Sequence, residues 1–476
     1  MGANQDLVHF HFDSYNAGAG SWEIDLENPK NWSAGKRWTT TLLTSLFLLV
    51  SPIASSIVAP ALPVLQAEFR ISTASETQMI LSVFILSSAV GPLIISPLSE
   101  VYGRRIVLHC TMLTFLVFNL ACAFCKTSAQ LLVLRFLAGI GGSAPAIGPG
   151  ILGDCWRPEE RGKSLSLYYV FALLGPALGP VIGGFIVRYL DWRWVFYSTS
   201  ILSAVIQGIG LPLFPETYPL VILANRKRAL RHDTDAALPV GRNAQAILLQ
   251  ALVRPFRLIG TQVIVQAMAL YLAYVYGLLY LALSTYVVVW TDVYEQSVEI
   301  ATLNYLSLAL GFTLGTQIMA PVSDRIYSYL RSRNGGVGLP EHRAPILVPG
   351  AVLIPLGLFL YGWSAQMQLF WVVPNLGAAI LGGGIVISMQ SITSYVVDVY
   401  PLYAASATAA LTILRAIAGF TFPMFAPYMY RSLGFGWGNS VLAFSAMAIS
   451  WPAPFILWKF GGALRARSRY AINNIE

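Results

Sequence analysis

Residues 77–105 read TQMILSVFILSSAVGPLIISPLSEVYGRR, a long apolar stretch that ends in an acid, a glycine and two arginines. The first part, residues 77–98, carries no charged side chain. It is long enough to cross a bilayer as a helix, which takes about 20 apolar residues. A glycine followed by two arginines is typical of a short turn at a membrane surface. This stretch therefore predicts a membrane-spanning helix followed by a tight turn.

The composition of the whole chain agrees with a protein built from such helices. Of its 476 residues, 56% are hydrophobic and 11% are charged, against about 25% charged in an ordinary soluble domain. So few charges cannot cover a water-soluble surface, which excludes a soluble enzyme and a nucleic-acid-binding protein. The net charge of +8 is explained by basic loops at one membrane face rather than by an anionic partner.

Twelve apolar stretches of membrane-spanning length follow along the chain, and we number them as spans 1 to 12. Their ranges are 39–60, 77–98, 106–124, 128–153, 165–188, 194–214, 259–289, 302–320, 345–364, 368–393, 405–428 and 437–460. The predicted fold is an all-α membrane protein with twelve transmembrane helices in two pseudo-symmetric six-helix halves. Its parts are a tail (1–38), an N-terminal half (39–214), a linker (215–258), a C-terminal half (259–460) and a second tail (461–476).

Lysine and arginine predict how the chain is oriented. With the N-terminus inside, the outer loops carry only Arg70, Lys126, Arg188, Arg193 and Arg431. Cytoplasmic loops are enriched in basic residues, so we expect both termini in the cytoplasm, with the plasma membrane as the location. The first 38 residues show no cleavable signal, so span 1 is expected to direct insertion itself.

A short repeat relates the two halves. Residues 96–102 read SPLSEVY after span 2, and residues 320–326 read APVSDRI after span 8. A proline, a serine and an acid coincide, so that Asp324 corresponds to Glu100. Six spans, a linker and six spans with an internal repeat are the outline of a duplicated transporter.

Several motifs resemble those of the major facilitator superfamily. Residues 99–105, SEVYGRR, resemble its loop signature, with Glu100 where aspartate is usual. Residues 134–139, LRFLAG, are similar to its arginine-x-x-x-glycine span, and residues 175–184, GPALGPVIGG, resemble the glycine-proline motif of its drug antiporters. Three further stretches resemble fungal members of the twelve-span drug:proton antiporter family: 28–32 (NPKNW), 215–218 (PETY) and 395–405 (YVVDVYPLYAA).

The resemblance implies a secondary transporter that works by alternating access. It would export amphiphilic organic compounds, such as drugs, toxins or secondary metabolites, by proton antiport. A proton gradient would supply the energy, with no cofactor, no metal and no nucleic acid. Its partners would be a small organic substrate, protons and the lipid bilayer, and the chain would act as a monomer. None of these motifs specifies the substrate.

The side chains of the loop after span 2 also predict a role from their chemistry and spacing, apart from the family resemblance. Glu100 lies four residues before Arg104, a spacing at which helical side chains pair. Gly103 permits the turn, and Arg104 and Arg105 are able to bond phosphates or a helix C-terminus. Together with Asp324 in the second half, these residues predict a conformational latch at the inner surface. The alternative is that the two arginines only fix the topology.

Span 5 carries glycines at every fourth position, which lines one helix face with hydrogen and permits close approach of another helix. Its prolines each remove a backbone donor and bend a helix. We predict a bent helix that seals the outer half, and the alternative is ordinary packing of small residues. The motif comprises Gly175, Pro176, Gly179, Pro180, Gly183 and Gly184.

Two arginines lie inside spans, where a charge costs about 2.5–3.5 kcal/mol on insertion scales. Arg135 in span 4 is level with Pro180, so we expect it to bond a carbonyl freed in span 5 or to hold substrate. Arg415 in span 11 is predicted to act in coupling or substrate binding. No acid lies deep in any span, and Asp154 at the inner end of span 4 is the best proton carrier. Its alternative is a solvated carboxylate beside Arg157.

The substrate cavity should be lined by spans 1, 4, 7 and 10, with help from spans 2, 5, 8 and 11, as in the superfamily that the chain resembles. Amides and aromatic faces suit a large, mostly apolar ligand with a few polar groups. The alternative is that these side chains are interfacial anchors or helix contacts. The candidates are Gln262, Gln266, Tyr271, Tyr274, Gln317, Asn375, Gln390 and Tyr395.

The sequence gives less support to other functions. A facilitator or symporter that imports a small organic nutrient is the nearest alternative, favoured by the missing membrane acid and disfavoured by the span 5 motif. An enzyme is not expected, because no metalloprotease motif, intramembrane aspartate pair or nucleophile elbow is present. No phosphate-binding loop supports an ATP-driven pump.

Overall fold

The computed structural model describes residues 22, 24–157, 160–231, 244–400, 403–466, 468 and 470–471. The first tail up to residue 21, linker residues 232–243 and residues 472–476 of the second tail lie outside the described residues. Pro401 and Leu402 of the 395–405 motif lie outside them too. Within the described part, every regular element is a helix.

The first half contains six spans, of which spans 1 and 4 are broken. Span 4 is interrupted by a 3-10 turn, Ala144–Ile147, between Gly141 and a second helix whose first turn holds Pro149. The helices are Ala34–Ser56 with Leu62–Glu68 (span 1), Ala74–Tyr102 (span 2), Arg104–Cys122 (span 3), Ser128–Gly141 with Gly148–Cys155 (span 4), Arg161–Tyr189 (span 5) and Trp194–Leu213 (span 6).

The second half repeats this order. Spans 11 and 12 are two helices within Ala404–Ser450 that meet directly at a kink at Gly434, where φ is +71°. The helices are Val263–Val288 (span 7), Val298–Leu303 with Tyr305–Arg333 (span 8), Leu347–Gln366 (span 9), Val372–Val399 (span 10), and Ala404–Ser450 with Pro452–Ala466 (spans 11 and 12).

The helix lengths agree with twelve predicted spans. Ten described helices are long and apolar enough to cross a bilayer. Span 4 is missing from those ten because its break leaves only the short apolar helix Ser128–Gly141, and spans 11 and 12 count once because they meet directly at Gly434. The prediction of an all-α, twelve-span membrane protein is confirmed.

The packing inside the two halves is duplicated. In the first half, span 1 packs on spans 5 and 6, span 2 on span 4, and span 3 on spans 4 and 6. In the second half, span 7 packs on spans 11 and 12, span 8 on span 10, and span 9 on spans 10 and 12. Each contact in one half has its counterpart six spans later, as internal duplication requires.

The most extensive contacts between the halves are those of span 2 with span 11 and of span 5 with span 8. One end of this interface, which we call the basic face, carries the turn at Gly103, the loop after span 4 and the linker helices Pro219–Arg231 and Ala244–Thr261. The opposite face carries the loops after the odd-numbered spans. Within the linker, helix Ala244–Thr261 buries Leu258 against the bundle.

The lipid-facing surface is a band of exposed apolar side chains. They recur four residues apart on single helix faces, as Leu113 and Val117 do on span 3 and Leu310 and Leu314 do on span 8. So much exposed hydrocarbon is tolerated only against lipid.

Candidate functional site

One carboxylate organises the turn between spans 2 and 3. Glu216, which follows span 6, accepts the backbone N–H of Arg104 on Oε1 (2.9 Å) and that of Arg105 on Oε2 (3.1 Å). Gly103 has a φ of +95°, and a Cβ there would lie closer than 3.0 Å to the Glu216 carboxylate. Only glycine therefore fits this turn. The sequence contained Glu216 only as part of a family resemblance and did not indicate this role.

The side chain of Arg104 is buried within this turn. Its Nη1 donates to Oγ of Ser99 (2.6 Å), and its Nε donates to Oδ2 of Asp154 (3.3 Å). The predicted ion pair between Glu100 and Arg104 was wrong. The helix of span 2 ends at Tyr102, so residue 104 starts a new helix and the four-residue spacing does not apply.

Arg105 captures the end of span 6. Its Nη2 donates to the carbonyl oxygen of Leu211 (2.7 Å), in the last turn of helix Trp194–Leu213. Carbonyls in the last turn of a helix have no partner within the helix. This contact is one of the two that the sequence predicted for the arginines, and it ties spans 3 and 6 together at the basic face.

Asp154 lies beyond the apolar stretch 128–153, at the basic face. Its side chain is 16% exposed and is bonded by Arg104 and by the hydroxyl of Thr217 (3.5 Å). Burial raises the pKa of Asp154 to about 6, although the guanidinium of Arg104 acts in the other direction. Arg157, its expected neighbour, donates instead to Asn31 (3.3 Å). Asp154 is therefore a mostly buried carboxyl with a raised pKa rather than a solvated carboxylate.

Asp324 does not repeat this arrangement in the second half. Span 8 continues as a helix to Arg333, so Asp324 is exposed on its surface, and no ion pair among the described residues includes it. The second half is held at the basic face by other pairs. Arg343 bonds Asp398 at the end of span 10 (2.8 Å). The predicted latch is thus formed by first-half residues together with Glu216.

Arg135 is fully buried and bonds helices of the first half. Its Nη1 donates to the carbonyl of Ala54 in the last turn of span 1 (2.9 Å), and its Nε donates to that of Ile80 in span 2 (3.2 Å). Its guanidinium also lies over the ring of Phe84 (4.8 Å). The expected carbonyl partner in span 5, near Pro180, was wrong. Arg135 ties spans 4, 1 and 2 together.

The three spaced glycines of span 5 face span 1. A Cβ on Gly175, Gly179 or Gly183 would lie closer than 3.0 Å to atoms of residues 52–57. The helix Arg161–Tyr189 continues through Pro176 and Pro180. This glycine stripe therefore sets the spacing of spans 1 and 5 inside one half, whereas we predicted a seal of the outer half.

The seal between the halves at the opposite face depends on Gly184, the residue after Gly183. Gly184 faces the side chain of Thr302 in span 8, and a Cβ at residue 184 would overlap the Thr302 hydroxyl. One turn further, Nε of Arg188 lies 3.6 Å from Oε1 of Glu299. Spans 5 and 8 thus close the opposite face of the interface in this structure.

Three of the eight predicted cavity residues, Tyr271, Tyr274 and Asn375, bond to other helices of the second half. The hydroxyl of Tyr274 donates to the carbonyl of Leu442 in span 12 (2.6 Å). The amide of Asn375 donates to Oδ1 of Asn304 (2.7 Å), and Tyr271 lies 3.4 Å from the hydroxyl of Ser388.

Three more of these candidates lie at the basic ends of their helices. Gln262 accepts a hydrogen bond from Ser468, Gln266 donates to the carbonyl of Ile259 (2.7 Å), and Tyr395 is fully buried. Three candidates make no hydrogen bond to a described residue: Gln317, which is exposed, Gln390, which is partly exposed, and Tyr395, whose hydroxyl is buried.

The groups that meet between the halves form a different cluster. Arg415 lies eleven residues after Ala404, about 16 Å along the axis at 1.5 Å per residue, close to the middle of a hydrocarbon core about 30 Å thick. Its guanidinium lies over the ring of Tyr276 in span 7 (5.1 Å). The ring of Tyr276 lies 5.0 Å from that of Tyr280.

Both halves contribute to this cluster. The hydroxyl of Tyr280 lies 3.4 Å from that of Ser55 in span 1, and Tyr169 in span 5 is close enough to Arg415 to interact with it electrostatically. We call Arg415, Tyr276, Tyr280, Tyr169 and Ser55 the central cluster. Only Arg415 was predicted from the sequence. Span 7 was expected to contribute, but from the face that carries Tyr271 and Tyr274.

This architecture is shared with known transporters. The chain superimposes on the partially occluded, inward-open xylose transporter XylE from E. coli with a TM-score of 0.66 and 18% identity, covering 90% of this chain and 98% of that one. The sequence profile of the Major Facilitator Superfamily matches residues 44–423. The chain belongs to the Major Facilitator Superfamily. The protein is therefore a membrane transporter and not an enzyme, as its sequence predicted.

Curated relatives within the superfamily are fungal. The chain is 46% identical to the efflux pump vrtL of Penicillium aethiopicum over 452 residues, covering 94% of this chain and 90% of that protein. It is 42% identical to the MFS-type transporter oryF of Aspergillus oryzae over 446 residues, covering 93% of each. The efflux pump radE of Floropilus chiversii is 38% identical over 455 residues, with 94% of this chain and 84% of that protein covered.

Proposed function

We propose that this transporter exports amphiphilic organic compounds from the cytoplasm in exchange for protons. It would lie in the plasma membrane with both termini and the basic face in the cytoplasm, where basic loops are enriched. Export is supported by the similarity to the efflux pumps of Penicillium aethiopicum and Floropilus chiversii.

The observation that carries the proposal is the chemistry of the central cluster. Tyr276, Tyr280 and Tyr169 present aromatic rings, and Arg415 presents a charge, where the two halves meet. Aromatic faces with few polar groups suit an amphiphilic ligand. A sugar-type nutrient needs many amide and carboxylate partners, and in span 7 the amides of Gln262 and Gln266 are occupied at the basic face.

Alternating access requires that the two faces of the interface open in turn. Spans 5 and 8 close the opposite face through Gly184 and Thr302. At the basic face, Arg104, Asp154 and Glu216 join spans 2, 3 and 4 to the segment after span 6. We infer that this cluster is the latch whose rearrangement accompanies opening toward the cytoplasm.

The proton is proposed as the counter-substrate, with the proton gradient as the energy source and no cofactor. Asp154 supports this choice, because burial raises its pKa to about 6. A group gains and loses a proton most effectively when its pKa lies close to the working pH. Asp154 lies in the latch and is therefore placed to link protonation to conformation.

Inside-out vesicles with an imposed pH gradient test the proposal. We expect a member of a panel of fluorescent amphiphiles to accumulate in vesicles with an acidic lumen and to leave when a protonophore collapses the gradient. Vesicles from cells without the transporter are the control. Accumulation that ignores the gradient would indicate a facilitator, and accumulation only in right-side-out vesicles would indicate an importer.

A further inference from the structure

Arg415 differs from Arg135, the other arginine within a span, because it makes a cation–π contact with Tyr276 but no ion pair or hydrogen bond to a described residue. No ion pair among the described residues includes it, and its guanidinium donates no hydrogen bond to any residue that the structure describes. Arg135, by contrast, donates to two carbonyls. Arg415 therefore does not tie helices together through hydrogen bonds, as Arg135 does.

The position of Arg415 makes this lack of a partner significant. A charge near the middle of a bilayer is costly, so such residues normally pair with an acid or face a water-filled path. Nε of Arg415 is buried and has no hydrogen-bond partner among the described residues, whereas the residue as a whole is partly exposed. The terminal nitrogens consequently reach accessible space.

Arg415 lies where the two halves meet. One turn along span 11, a Cβ on Gly419 would lie 3.0 Å from the ring of Tyr276 and 3.1 Å from Ile85 of span 2. Spans 7 and 2 thus flank span 11 closely here. The phenol groups of Tyr169 and Tyr280 both lie within electrostatic range of the guanidinium.

We propose that Arg415 binds an anionic group of the substrate and that the exported compounds are aromatic organic anions, such as aromatic carboxylates. This inference rests on the proposed export function and names its substrate class. A guanidinium holds a carboxylate through two parallel hydrogen bonds, and the tyrosine rings supply offset or edge contacts to a planar aromatic body. A cationic amphiphile would meet uncompensated repulsion at the same place.

Binding of a matched pair of probes tests the inference without any gradient. The probes are anthraquinone-2-carboxylate and its methyl ester, which share one ring system and differ in charge. Binding to the purified transporter at pH 7 is followed by quenching of its intrinsic fluorescence. We expect the carboxylate to bind at least about tenfold more tightly than the ester, the gain from one charge-assisted interaction.

Variants assign the preference to Arg415. Arg415→Gln should bind the two probes equally, and Arg415→Lys should keep part of the preference because it keeps the charge but not the fork. Arg431→Gln, which removes an exposed arginine near the far end of the same span, is the matched control and should behave as the wild type. Tyr276→Leu should weaken both probes by a similar factor.

The inference is overturned if the wild type binds the carboxylate no more tightly than the ester, or if Arg415→Gln retains the preference. Wild-type binding decides this even if a variant fails to fold. Export of the fluorescent panel without any preference for anions would overturn this inference and leave the proposed function standing. A carboxylate preference without gradient-driven export would overturn the proposed function and leave the binding role of Arg415 standing.

Discussion

The glycine stripe of span 5 makes a quantitative prediction at Gly183. A Cβ at this position would lie closer than 3.0 Å to the carbonyl oxygen of Ile57 in span 1. The obstructing atom belongs to the backbone, so no side-chain rotation is able to relieve the contact. Gly183→Ala therefore forces spans 1 and 5 apart.

Two opposing terms set the size of the effect. Overpacking a close-packed interior costs about 1–3 kcal/mol, and a backbone obstruction belongs at the upper end. Replacing glycine by alanine inside a helix returns about 1 kcal/mol. We expect Gly183→Ala to lose about 2 kcal/mol of stability relative to the wild type.

Gly208 in span 6 provides the matched control, because a Cβ there meets no atom within 4 Å. Gly208→Ala should gain the helix-propensity term alone. The assay is the thermal midpoint of each purified variant in one detergent, followed by fluorescence-detected size exclusion, with efflux in inside-out vesicles at matched expression. Equal midpoints for Gly183→Ala and Gly208→Ala would refute the inferred contact between spans 5 and 1.

Three further predictions concern Arg135, Asp154 and the contact between spans 5 and 8. Arg135→Lys and Arg135→Ala should both lower the thermal midpoint. A single ammonium cannot reach the carbonyls of both Ala54 and Ile80, and each lost charge-assisted hydrogen bond is worth about 1.5–3 kcal/mol. A wild-type midpoint for Arg135→Lys would contradict this prediction. Lowering the pH from 7 to 5 should favour the conformation described here, in which Asp154 is buried, about tenfold over a conformation in which Asp154 is exposed. The buried carboxyl, with a pKa of about 6 against an ordinary 3.8, takes up a proton more readily than an exposed carboxyl does. Spin-label distances between the halves measure this, and Asp154→Asn should remove the dependence. Arg188→Ala should leave efflux nearly unchanged, since the Arg188 side chain is 60% exposed and exposed ion pairs contribute at most about 1 kcal/mol. Gly184→Leu, by contrast, should abolish efflux because its side chain obstructs closure against Thr302. A larger loss of efflux in Arg188→Ala than in Gly184→Leu would mean that the seal is electrostatic.

The sequence determined the membrane architecture. The twelve spans and the internal duplication follow from hydropathy over about 20 residues and from a repeated motif, because a bilayer core of about 30 Å imposes a helix length that is visible locally. Gly103 and the two intramembrane arginines could also be identified, since each breaks a local rule. The break in span 4 was missed, although Pro145 and Pro149 stand in that stretch.

Tertiary structure decided which groups meet. Arg104 bonds Asp154 rather than Glu100, and Glu216 reaches the turn from more than a hundred residues away, so no spacing along the chain could indicate either contact. On span 7, Tyr271 and Tyr276 are about 140° apart around the helix at 100° per residue. That helix is apolar and largely buried on all sides, so its sequence carries no amphipathic signal to show which face meets the other half. Only the packing of both halves places Tyr276 and Tyr280 beside Arg415.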